Sequence, residues 1–375
     1  MKKIIWILVV VVAAIGIWFG ISKRQAPAVE GGTIRIGAAL GLSGFCADFG
    51  EGEKKAIELA IDEANKNGGV NGKTIQLITE DTFCDGKGTA SAVQKLISVN
   101  KVEVILGPTW GDSFQSGFPI AQKAGIVSIS PSAAMEALEF TGASNDRVYS
   151  TWFPQRSEIE FLQKYAVRKG VKEFVVLYEN DPFTEMMAKL FESEAVKVGI
   201  KISHSEETTL GADDYRTVIA KVKAYPNAAV FISFIAPEIK AKFLKQFKEL
   251  GLKNTVFSSA DIENQALLDS FPKVLEGVVF GSAKITGNTV DFVNKHKAKF
   301  GTEPQGAAAG QAYDAANILI EALKKGPVSD LNTNITKVSV PGTTVKEVKF
   351  NDKHQVVGGG YTLKTIKDGQ FVDLK

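Results

Sequence analysis

The stretch GGVNGKT, Gly68 to Thr74, falls one residue short of the Gly-x-x-x-x-Gly-Lys-Ser/Thr loop that wraps phosphates in consecutive backbone N–H groups. Three residues separate Gly68 from Gly72, and Asn67 stands where the earlier glycine would. Other reactive groups are thinly spread. His204, His296 and His354 lie far apart, and two cysteines, Cys46 and Cys84, are too few for a metal site. No Gly-x-Ser-x-Gly elbow, His-Glu-x-x-His, Cys-x-x-Cys or Gly-x-Gly-x-x-Gly stands at a strand end. Asp81 and Asp85 could pair as acid and base, but acids in such places more often cap a following helix. No catalytic residue, metal or cofactor is therefore expected. What remains is a set of aromatics, small residues and hydroxyls, among them Phe45, Phe49, Trp110, Ser132, Phe183 and Phe234. That mixture suits a small, partly apolar ligand held by a few placed hydrogen bonds.

These residues sit between short β-rich runs and amphipathic helical segments. TIRIGAAL reads as a strand, and GEGEKKAIELAIDEANKNG puts Ala56, Ile57, Ala60, Ile61 and Ala64 on one helical face. A phosphate loop follows a strand and opens a helix. GGVNGKT instead follows a helix and leads into the strand TIQLITED, so it reads as a helix cap at Gly68-Gly69 and a turn at Asn71-Gly72. Strand and helix keep alternating through VEVILG, IVSIS, EFVVLYE, IKISHSEE, AAVFISF, TVFSSA and GVVFG, with a break near 150–155. This implies an α/β fold of two lobes built on parallel sheets with helices on both faces. Two helices follow in 288–325, and short antiparallel strands around Asp352-Lys353 and Asp368-Gly369 end the chain. Ligands of open parallel sheets bind at the C-terminal strand ends. Those loops are 41–50, 81–87, 107–113 and 130–135 in the first lobe, and 179–184, 234–238 and 258–263 in the second.

Of 375 residues, 45% are hydrophobic and 23% charged, an ordinary globular balance. The exception is IIWILVVVVAAIGIWFGI, Ile4 to Ile21, preceded by Lys2 and Lys3: residues 1–28 read as a secretory signal peptide or an N-terminal membrane anchor. Ala26-Pro27-Ala28 offers a cleavage site, while Lys23, Arg24 and the length of the apolar run favour retention, and both readings stay open. Without a cysteine there, a lipid anchor is not expected. An extracytoplasmic location follows, and an even cysteine count in an oxidising compartment favours a Cys46–Cys84 disulfide over two free thiols. The leader holds four of the 44 basic residues and no acids, so the body is near neutral and offers no footprint for nucleic acid. The roughly 350 residues that remain suit two domains.

IRIGAALGLSG, FGEGEKKAIELAIDEANKNGGVNGKTIQLITEDTFCD, VILGPTW and AGIVSISPSA, in that order, closely resemble the type I periplasmic binding proteins, in the leucine/isoleucine/valine-binding branch that serves ABC importers. The resemblance implies two Rossmann-like lobes joined by three crossovers, with residues 33–150 plus 282–345 in lobe I and 151–281 plus 346–375 in lobe II. It implies a monomer that captures an amino acid, amide or related acid and passes it to an importer permease, with a ligand-sensing module of a receptor system as the alternative and an enzyme less favoured. By the same resemblance, the ligand's α-carboxylate or amine meets a hydroxyl at the position of Gly111 and another at Ala134. Both departures leave Ser132 and the backbone around Ala133 to hold a carboxylate. Phe49 and Phe183 match the aromatic wall over the ligand, joined by Trp110. Asp261 matches the acid that pairs with an ammonium, though it could instead cap the helix that begins near Glu263. Phe234 reads as core. The lost hydroxyls and added Trp110 suggest a bulkier or less zwitterionic ligand, such as an amide, an aromatic acid or a short peptide.

Overall fold

This computed structural model describes residues 31–141 and 146–374; the apolar leader and the question of its cleavage lie outside them. Strands β1 (Gly31–Leu40), β2 (Lys73–Asp81), β3 (Val104–Leu106), β4 (Val127–Ser130) and β5 (Val148–Ser150) form one sheet in the order β2-β1-β3-β4-β5, all parallel. Helices α1 (Ala47–Lys66), α2 (Gly86–Ser98), α3 (Gly111–Lys123) and the short α4 (Glu136–Thr141) connect it. Helix α5 (Gln155–Arg168) opens the second series, in which β6 (Glu173–Glu179), β7 (Lys201–Thr208), β8 (Ala229–Ser233), β9 (Val256–Ser258) and β10 (Val279–Ala283) alternate with α6 (Pro182–Lys197), α7 (Arg216–Val222), α8 (Pro237–Glu249) and the short α9 (Gln265–Ser270) and α10 (Pro272–Leu275). The chain then returns to the first sheet with α11 (Thr289–Phe300), α12 (Ala309–Leu323) and α13 (Leu331–Asn334), and makes a small hairpin of β11 (Val340–Pro341) and β12 (Glu347–Val348). It crosses a third time to add β13 (Tyr361–Lys367) and β14 (Gln370–Leu374).

The second sheet runs β14-β13-β10-β9-β8-β6-β7. Its terminal hairpin is antiparallel, so the sheet is mixed where alternation alone implies a parallel one. The short helices α4, α9 and α10 lack the length for a periodic stripe and were not visible as such in the sequence.

Each sheet is covered on both faces, as its near-continuous apolar strands require. In β6, Phe174 and Val176 pack to one side and Val175 and Leu177 to the other. In the first lobe α1 and α12 lie side by side on β1, burying the stripe Ala56, Ile57, Ala60 and Ile61, with Ala64 only partly covered. The opening motif is a turn: α1 ends at Lys66, Gly68 and Gly69 take φ of +91° and +73°, and Val70 and Lys73 exchange backbone hydrogen bonds of 2.9 Å.

The N-terminus of α1 is set by close backbone approach. A methyl group on Gly52 would stand 1.9 Å from the carbonyl oxygen of Gln305. We expect Gly52→Ala to destabilise the fold by roughly 1–3 kcal/mol, read as a lowered urea midpoint with an unchanged slope; an unchanged midpoint would contradict this packing.

Next to it, Glu53 is wholly buried. The Thr109 hydroxyl donates to its Oε2, while Oε1 has no partner. Burial pushes this carboxyl up to about 7, against the pull of the Ser132 and Thr109 hydroxyls. The folded chain thus holds a proton that the unfolded chain releases near pH 4.5. Stability from this group is complete below that pH and is lost as pH rises through about 7. Glu53→Gln is expected to flatten the fall in melting temperature between pH 5 and 8, measured across a buffer series; an equal fall in both proteins would place the titration elsewhere.

Candidate ligand-binding site

Between the two sheets lies a cavity of about 720 Å³. Trp110 and Ser132 follow β3 and β4, Trp152 follows β5, Phe183 follows β6, Ile235 follows β8 and Asp261 follows β9, so its walls are the C-terminal ends of both sheets. Of the expected site residues, Phe49, Trp110, Ser132, Ala134, Phe183 and Asp261 line it. Ala133 does not. Gly111 is the first residue of α3, and Ala133 is fully buried, with its carbonyl accepting from Ser150 Oγ at 2.7 Å. Phe234 lies in the second-lobe core, stacked on Tyr215.

Trp110 joins the two halves. Its ring meets Phe49 edge-on at 5.0 Å and Phe45 at 5.9 Å, both from the first lobe, and tilts against Phe183 of the second at 6.2 Å. Trp110 therefore both packs between the lobes and lines the cavity. Its backbone takes φ +69°, an uncommon conformation for a bulky residue, held by a hydrogen bond of 3.0 Å from Trp110 N–H to Ser132 Oγ. The indole Nε1 is buried with no protein partner. Since Ser132 also bonds Glu53, its hydroxyl is largely committed to shaping the wall.

A disulfide between Cys46 and Cys84 ties the loop carrying Phe45, and with it the first turn of α1 that carries Phe49, to the loop after β2. Asp81 gathers the same loop: its carboxylate accepts from Leu42, Ser43 and Phe83 N–H and from Ser43 Oγ. Partial burial raises its pKa, but these bonds outweigh that and hold it below the usual carboxylate range. Asp85 caps α2 through Gly88 N–H. Both acids are thus structural.

In the second lobe, Asp261 sits in the tight turn Ala260–Ile262. It does not cap the following helix; Asn264 does, accepting from Leu267 N–H at 2.9 Å. Instead, Asp261 Oδ1 accepts from Ser259 Oγ and from the fully buried Lys240 ammonium. Beside it Glu158, also buried, accepts from Ala260 N–H at 2.6 Å; burial, and then the charge of Asp261, push its carboxyl up to about 8. Gln155 donates to the Tyr361 hydroxyl at 2.6 Å, and Glu263 is bound by Lys364 and Ser282.

Lys240, Glu158, Gln155, Glu263 and Tyr361 were missed in the sequence. A signal existed for two of them. Lys240 heads the i, i+3, i+4, i+7 stripe completed by Phe243, Leu244 and Phe247, and Glu158 heads one with Leu162 and Tyr165. A charge at such a position must be buried and therefore partnered.

The periplasmic binding protein family matches residues 33–370. A leucine-, isoleucine-, valine-, threonine- and alanine-binding protein of Pseudomonas aeruginosa is 24% identical over 310 residues, covering 80% of each chain. The Leu/Ile/Val-binding protein of Escherichia coli is 22% identical over 330 residues, 87% of this chain and 85% of that one. Among solved structures, the branched-chain amino acid transporter substrate binding protein LivJ of Streptococcus pneumoniae, with isoleucine, superposes with a TM-score of 0.72 at 23% identity, over 90% of this chain and 97% of that one. A solute binding protein of an ABC transporter from R. palustris, with benzoate, gives 0.73 at 19%, over 91% and 95%. Motif order, two-sheet topology, interlobe cavity and a match over nearly the whole described chain agree: this chain belongs to the periplasmic binding proteins, in the type I branch of the Leu/Ile/Val-binding proteins.

Proposed function

We propose that this protein is an extracytoplasmic solute-binding protein, not an enzyme, that captures one small ligand between two lobes and delivers it to the permease of an ABC importer. The observation that carries the reading is the cavity itself: its wall is complete only where Phe49 and Trp110 of one lobe face Phe183 of the other. Lobe I is residues 33–150 plus 282–345 and lobe II is 151–281 plus 346–375, and the protein acts as a monomer. A ligand that touches both lobes favours the closed arrangement by its contacts in that state alone. The names of the relatives point to an amino acid or a small aromatic acid, and the ligand class proposed here is an amino acid, amide or related acid. Among the described lining residues, Asp261 and Glu263 are paired with lysines and Glu158 accepts from the Ala260 amide.

The test is a melting-temperature panel of amino acids, amides, sugars and aromatic acids on residues 29–375, followed by calorimetry with the best member. A shift of several degrees with one class is expected. Phe183→Ala and Trp110→Ala should each weaken that ligand by about 10-fold or more, the loss that about 1.4 kcal/mol of ring contact implies, while Val196→Ala on the exposed face of α6 should leave affinity unchanged. Equal affinity in all three variants would remove the cavity as the site.

A further inference from the structure

Resting on the capture reading, we propose that the ligand is an uncharged carboxamide with an aromatic or similarly flat apolar body, and that Lys240 is the residue that excludes charged amino acids. Among the described lining residues there is no lysine or arginine to meet a carboxylate. Four carboxylates line the cavity, but their charge is already answered. Asp261 is held by Lys240, Glu263 by Lys364, and Glu303 at the rim by Lys297. The fourth, Glu158, has its carboxyl raised by burial to about 8 and is mostly protonated at pH 7. An ammonium placed here would be desolvated and find no free negative charge, and an anion no positive one. Burying either uncompensated costs several kcal/mol.

The polar valences left over call for a neutral group with both donors and an acceptor. Both hydrogen bonds to Asp261 fall on Oδ1, which leaves Oδ2 to accept. The Glu158 bond falls on Oε1, so the proton this carboxyl keeps makes its other oxygen a donor. The Trp110 indole N–H is a further donor without an acceptor, closed off from solvent in this arrangement. A carboxamide supplies two N–H donors on one side and a carbonyl acceptor on the other, while its apolar body packs against Phe49, Trp110 and Phe183.

Four molecules of matched shape separate charge from size: phenylacetamide, phenylacetate, phenethylamine and L-phenylalanine, titrated calorimetrically into the wild-type protein at pH 7. Phenylacetamide should bind at least 10-fold tighter than each of the others. A charged member that equals or beats it overturns the assignment while leaving ligand capture standing. Silence from all four also overturns it, and capture is then judged by the broader panel alone. In Lys240→Met the freed Asp261 should accept a cation, so phenethylamine should gain at least 10-fold relative to phenylacetamide. Lys364→Met, which frees Glu263 at a less buried position, repeats the test if Lys240→Met fails to fold by circular dichroism. An unchanged ranking in the folded variant would deny the lysines this role.

Discussion

Beside the cavity, three helices bury an ionisable side chain within their first two turns: Glu53 in α1, Glu158 in α5 and Lys240 in α8, none more than 1% exposed. Each heads an apolar stripe of its helix at the end that faces the cleft. The desolvation cost there is large, and it is offset only by partners fixed in place. Thr109 and Ser132 serve Glu53, the Ala260 amide serves Glu158, and Ser259 and Asp261 serve Lys240. The loops that carry these partners are the loops that form the cavity. Satisfying buried charge and positioning the site are the same requirement.

That coupling explains the aromatic wall. Trp110 is held in its uncommon backbone conformation by the Ser132 hydroxyl, which in turn answers Glu53. From there its ring reaches Phe49 on one side and Phe183 on the other. The disulfide and the four bonds to Asp81 fix the facing loop from behind, so the rings of the wall stand on loops held in place.

How much of this was legible in the sequence follows from the range of the interactions. Strands and helices with a clear period were readable, because alternation and the 3.6-residue stripe are local consequences of which face is buried. The turn at Gly68–Thr74 was readable from its neighbours, and the two cysteines from their compartment. The antiparallel hairpin of β13 and β14 was visible as a hairpin but not as an edge of the second sheet, since that pairing joins residues as far apart as Val279 and Thr365. The cleft was half legible. Phe49, Trp110 and Phe183 stand out as aromatics in strand-end loops, whereas Lys240 and Glu158 look like the polar side of ordinary helices until the stripe is counted through them.

The energetics of closure set how these parts work together. One tilted aromatic contact across the cleft, Trp110 on Phe183, contributes about 1 kcal/mol. Moving a two-state equilibrium from almost wholly open to almost wholly closed takes about 5.5 kcal/mol of differential binding. That ring contact therefore supplies only a small part, and a ligand that touches both walls at once adds to it. A ligand confined to one lobe would bind open and closed states alike and shift nothing. The placement of the lining groups fits that demand: the rings of Phe49 and Trp110 belong to the first lobe, and the spare acceptor, Asp261 Oδ2, to the second. A molecule that meets both completes its contacts only when the lobes meet around it.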